Sequence, residues 1–86
     1  MKALRAAGCL VQQITQGDGV PDLIVCTPRG RLLLIEVKDG AKPPSDRKLK
    51  PAQVAWHAIW APRAPVFVCL SPADALAAVA QVDAAA

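Results

Sequence analysis

Aromatic residues are nearly missing from this chain of 86 residues: it has no tyrosine, and Trp56, Trp60 and Phe67 are its only three. That shortage argues against a surface built to stack nucleobases and for a core of aliphatic side chains. Histidine occurs once, at His57, and Cys9, Cys26 and Cys69 come without CxxC or Cys/His spacing. Zinc-binding and dithiol motifs are thereby excluded, and an odd number of thiols in apolar surroundings reads as reduced core cysteine in a cytoplasmic protein. No apolar run approaches the length of a membrane span. Too few apolar residues precede Cys9 to form a signal h-region. Acids are absent from residues 1–17 altogether.

What is present suits one small domain, residues 1–86, with 53% of its residues apolar. A core can therefore form without disulfides, close to the lower size limit. The net charge of +3 is a mild bias toward polyanions and decides nothing alone.

The order of elements is legible. Met1–Ala7 can form only the stub of a helix, ending at Gly8, and Cys9–Thr15 has strand-like residues. The turn Gln16-Gly17-Asp18-Gly19 follows, then apolar strands at Asp22–Thr27 and Arg31–Lys38. Asp39–Lys48 is a polar loop bearing proline and glycine. Pro51 opens a helix to about Ala61, Pro65–Leu70 is a fourth strand, and Ser71 caps a helix from Pro72 to about Val82. This is an α/β pattern with a mixed four-stranded sheet, the last strand reached by a crossover through the Pro51 helix.

Three charged residues stand in the two apolar strands: Asp22, Glu36 and Lys38. Charge in a buried strand is costly unless it is paired or bound to a metal. The connector Pro28-Arg29-Gly30 suits a three-residue hairpin loop with a glycine bulge. Thr27 then faces Arg31, and counting outward sets Asp22 opposite Glu36 on one face, with Lys38 sharing that face through the period of two. A two-residue loop would turn Asp22 to the other side. Taken singly, Glu36 and Lys38 read as an ion pair and Asp22 as a turn-capping acid. Together they are a set able to hold Mg²⁺ or Mn²⁺ through Asp22, Glu36 and the Val37 carbonyl, with Lys38 beside a scissile phosphate.

Gly19-Val20-Pro21-Asp22, then Ile35-Glu36-Val37-Lys38, then Leu49-Lys50-Pro51-Ala52-Gln53 with Trp56, resembles the PD-(D/E)xK nuclease superfamily. Within it the sequence is similar to the compact VRR-NUC domains, including stand-alone phage and bacterial forms. The resemblance implies a restriction-endonuclease-like αβββαβα core and a Mg²⁺- or Mn²⁺-dependent endonuclease acting on DNA, in some members on branched DNA such as Holliday junctions. Under it Asp22 and Glu36 are the metal-binding acids, Lys38 the catalytic lysine, and Gln53 the glutamine that opens the helix beside the site. Many relatives carry a further glutamate on the N-terminal helix. That acid has no counterpart here, so a weak or inactive DNA-binding or scaffolding module is the competing expectation.

Arg29, Arg31, Lys42, Arg47, Lys48 and Lys50 supply most of the basic excess and are candidate phosphate contacts, the loop cluster above all. Trp56 and Trp60, four apart, are expected to pack the helix on the sheet, and His57 to be a partly exposed helix residue. No base-reading helix is evident, so structure-selective or non-specific cleavage is favoured over sequence recognition. Two symmetric cuts in a four-way junction imply a homodimer.

Overall fold

The computed structural model describes residues 1–85. Its elements are α1 (Lys2–Ala6), β1 (Leu10–Gln13), β2 (Leu23–Cys26), β3 (Leu32–Val37), α2 (Pro51–Trp60), β4 (Val66–Cys69) and α3 (Pro72–Ala84). The order matches the sequence reading. Strands are trimmed at their ends, α3 runs two residues longer than expected, and the polar loop holds one 3₁₀ turn at Pro44–Arg47. The sheet order is β1-β2-β3-β4, with β1–β2 and β2–β3 antiparallel and β3–β4 parallel.

The β2–β3 hairpin has the expected register. Leu23 pairs with Ile35 and Cys26 with Leu32, so the loop is Pro28-Arg29-Gly30. The Thr27 amide donates to the Arg31 carbonyl at 2.8 Å and the Gly30 amide to the Thr27 carbonyl at 2.9 Å. Gly30 closes the turn at φ +82°, the left-handed conformation a glycine bulge requires.

Period-two alternation then divides the sheet. Leu23, Val25, Leu33 and Ile35 point to one face and are no more than 5% exposed. There they join Leu4 of α1 and Ala75, Ala78, Val79 and Val82 of α3 in an aliphatic core that also takes in Cys9 and Cys69. All three cysteines are free thiols, two of them buried, in keeping with the sequence reading. The other face carries α2 and is thinly covered. No residue of α2 is buried. The expectation that both tryptophans pin this helix to the sheet therefore needs correction. Trp60 is 49% exposed, and the two indoles stack on each other at 4.8 Å.

Helix α3 is fastened at both ends. Ser71 Oγ accepts from the Asp74 amide at 3.1 Å as an N-cap. At the other end, Arg31 donates to the carbonyls of Val82, Asp83 and Ala85 at 3.0–3.2 Å, satisfying oxygens with no partner inside the helix. Thr27, 3% exposed, completes the joint: its hydroxyl donates to the Asp83 carboxylate and accepts from the Arg31 amide at 3.1 Å. Replacing Thr27 by valine leaves the half-buried Asp83 carboxylate and the Arg31 amide without the hydroxyl that joins them. Urea denaturation is expected to show a loss of about 2 kcal/mol with an unchanged slope.

Candidate active site

Continuing the β2–β3 register one step past Leu23–Ile35 sets Asp22 across from Glu36, on the face that carries α2. The side chains meet as that register requires. Asp22 Oδ2 accepts from the Val37 amide at 2.7 Å, so the acid is clamped to β3 by its backbone. Glu36 is 2% exposed, and its Oε1 is buried without a hydrogen-bond partner among the described residues.

An anion so placed is costly. Glu36 is accordingly pushed up from 4.5 to about 7, chiefly by burial, then by a hydrogen bond to Asp22 and by the charge of Asp22, with the Lys38 ammonium opposing. The strand end is a site in want of positive charge.

Lys38 lies one step further along the same face. Its Nζ donates to Gln53 Oε1 at 3.0 Å, and that oxygen also accepts from the Lys50 amide at 2.8 Å. Gln53 thus caps α2 and steers the ammonium at once. Gly19, at φ +78°, makes this junction possible: a Cβ there would lie 2.2 Å from the Ala52 carbonyl oxygen. The turn before Asp22 therefore rests directly on the first turn of α2, holding Asp22 and Gln53 in one frame. Sequence reasoning placed Gly19 in a turn and at the head of the Gly19-Val20-Pro21-Asp22 stretch, but not against α2. The signal was its place three residues before Asp22.

His57, one helical turn past Gln53, is half-buried, and its Nε2 has no partner among the described residues. Burial and then the Lys38 ammonium hold its imidazole below the usual histidine value. The partly exposed helix residue expected from sequence is thus a neighbour of the site.

The basic residues divide into two groups. Lys42, Lys48 and Lys50 are exposed and Arg47 half-buried, all in the stretch joining Lys38 to the start of α2. Arg29 and Arg31 lie at the hairpin tip, five residues along β2 from Asp22, or about 16 Å. They stand apart from the loop group. Arg31 is engaged with the end of α3, and Arg29 donates to the Asp83 carbonyl at 3.3 Å.

The donor set fits a hard divalent cation. Two carboxylates, one with an orphaned buried oxygen, match the one or two that Mg²⁺ takes while keeping waters. Among the described residues no group of three or more His, Cys, Asp or Glu surrounds the place, and no helix is long and apolar enough to cross a membrane.

Comparison with solved structures finds a chain titled "VRR_NUC domain" that is 33% identical to this one, with a TM-score of 0.64. The match covers 96% of this chain and 81% of that one. No family model matches the sequence, and no curated protein does.

Two measurements follow from the site. Because the folded-state value of Glu36 is raised, its contribution is complete below about pH 4.5 and is lost as pH climbs to about 7. In metal-free buffer the urea midpoint is expected to fall across that window, and Glu36→Gln to flatten that part of the profile. A second comparison isolates the close approach at Gly19. Gly19 and Gly30 share a left-handed φ, yet a Cβ at Gly30 meets nothing within 4 Å. Gly30→Ala is expected to cost about 1 kcal/mol from backbone strain, and Gly19→Ala about 3 kcal/mol from strain plus overlap.

Proposed function

Given that the chain belongs to the VRR-NUC nuclease domain family, we propose that it is a Mg²⁺- or Mn²⁺-dependent endonuclease hydrolysing phosphodiester bonds in DNA. The observation that carries this reading is the buried Glu36 carboxylate against Asp22, with an oxygen left unpartnered, next to a lysine steered by Gln53.

Asp22, Glu36 and the Val37 carbonyl would hold the cation, which when bound supplies charge to polarise a phosphate and acidify a water. Asp22 has one oxygen engaged by the Val37 amide and presents the other. Lys38 steadies the attacking hydroxide and the negative charge that builds on the phosphate oxygens. Gln53 is a positioning residue: its carbonyl fixes the ammonium, and its amide N–H groups remain to orient water or touch a phosphate. The loop bearing Lys42, Arg47, Lys48 and Lys50 leads from Lys38 to Gln53, so a strand lying in the site would run along it.

Contacts of this kind read backbone rather than base edges, which favours structure-selective or non-specific cutting, branched DNA such as a four-way junction included. Symmetric cleavage of such a junction calls for a homodimer. The second reading, a weak or inactive DNA-binding or scaffolding module, is favoured by one observation: residues 1–17 offer no third acid.

Labelled four-way, flap, duplex and single-stranded DNA, incubated with Mg²⁺ or Mn²⁺, separates these readings. Wild type is expected to cut, and Lys38→Ala to lower the rate by about 100-fold or more. Equal nicking by both proteins removes Lys38 from the chemistry. Binding without cutting, under any metal, establishes the module instead.

A further inference from the structure

Helix α2 connects two parallel strands, β3 and β4, so it runs antiparallel to both. Four residues of helix advance about 6 Å, and two residues of strand about 6.6 Å. Gln53 reaches Lys38 at 3.0 Å. Four residues on along α2, and two back along β3, His57 therefore comes level with Glu36. Both residues carry a polar atom left over. Glu36 Oε1 and His57 Nε2 are buried, and neither has a hydrogen-bond partner among the described residues. One such atom is uncommon in a folded chain, and two at the same level of one helix and one strand point to a group that joins them.

The imidazole is poised for that role. Trp56 lies against it edge-on, the ring centres 5.7 Å apart and the planes at 69°. Burial and then the Lys38 ammonium hold it below the usual histidine value, so at neutral pH the ring keeps a lone pair to offer. It does not complete a cage of ligands. Among the described residues no three of His, Cys, Asp and Glu are grouped to hold a metal ion, so His57 stands a step outside the two carboxylates. A Mg²⁺ ion bound through one or two carboxylates keeps several waters, and those waters need acceptors.

We propose that His57 is a further positioning residue, its Nε2 accepting a hydrogen bond from a water of the cation that Asp22 and Glu36 hold. The inference rests on the cation reading of that pair and extends it by one step. Partners placed just outside the ligands commonly account for about 10- to 100-fold in metal affinity. A histidine that merely filled space under α2 would contribute nothing of the kind.

His57 is the only histidine, so its ring signals in a nitrogen-15 spectrum identify themselves. Mg²⁺ added to the metal-free full chain, without DNA, is expected to move the Nε2 signal along a curve whose midpoint matches that from calorimetry. In Glu36→Gln the signal is expected to stay still. His57→Ala is expected to weaken Mg²⁺ binding about tenfold or more, and His57→Gln, whose amide reaches as far as Nε2, to stay within about threefold of wild type. The wild-type spectrum decides the matter should His57→Ala fail to fold. An imidazole signal that does not move while calorimetry records Mg²⁺ binding overturns the inference and leaves the cation reading standing. Equal losses in the alanine and glutamine variants assign His57 to packing and overturn it as well. A wild type that takes up no Mg²⁺ removes the cation reading and this inference with it.

Discussion

A buried carboxyl group pressed against a half-buried one is the constraint around which this small fold is arranged. Glu36 is buried to 2% exposure, and Asp22 is clamped beside it by the Val37 amide at 2.7 Å. Their mutual repulsion is offset in part by Lys38, itself held by Gln53. What keeps the acids from drifting apart is the hairpin register, and that register is fixed some 16 Å away at the Pro28-Arg29-Gly30 turn. A slip of one residue there would send Asp22 through to the packed side of the sheet. The Thr27–Arg31–Asp83 joint ties the turn to α3 and so guards the register from a distance.

The two faces of the sheet divide the labour. One is closed by α1 and α3 over aliphatic side chains and carries the stability of the domain. The other is thinly covered: polar at the end where Gln53 and Lys38 meet the carboxylates, apolar at the end toward the hairpin. Such a division is economical for a chain of 86 residues, which has too little core to cover both faces of its own sheet. It also explains why α2 buries none of its residues. That helix brings Gln53 to Lys38, and Gly19 sets how closely it can approach.

Much of this was legible in the sequence because the decisive information is local. Pro28 and Gly30 dictate a loop length, the loop length dictates a register, and the register dictates which side chains meet. The Ser71 cap and the Pro51 helix start are equally local, and both stand where expected. What escaped reading depends on partners remote in sequence. Arg31 looked like free positive charge because the end of α3, some fifty residues on, cannot be seen from the hairpin. The tryptophans looked like core because helical spacing does not reveal that the surface beneath is left open. Family membership, borne out by the structural match, says nothing of either point.

The central claim is that the Asp22–Glu36 pair exists to hold a divalent cation. Crystals soaked in Mn²⁺ and measured at the manganese absorption edge address it without recourse to activity. A single anomalous peak within coordination distance of both carboxylates, absent from crystals of Glu36→Gln, is the result expected. Density confined to other surface acids, or none at all at saturating Mn²⁺, would contradict the account.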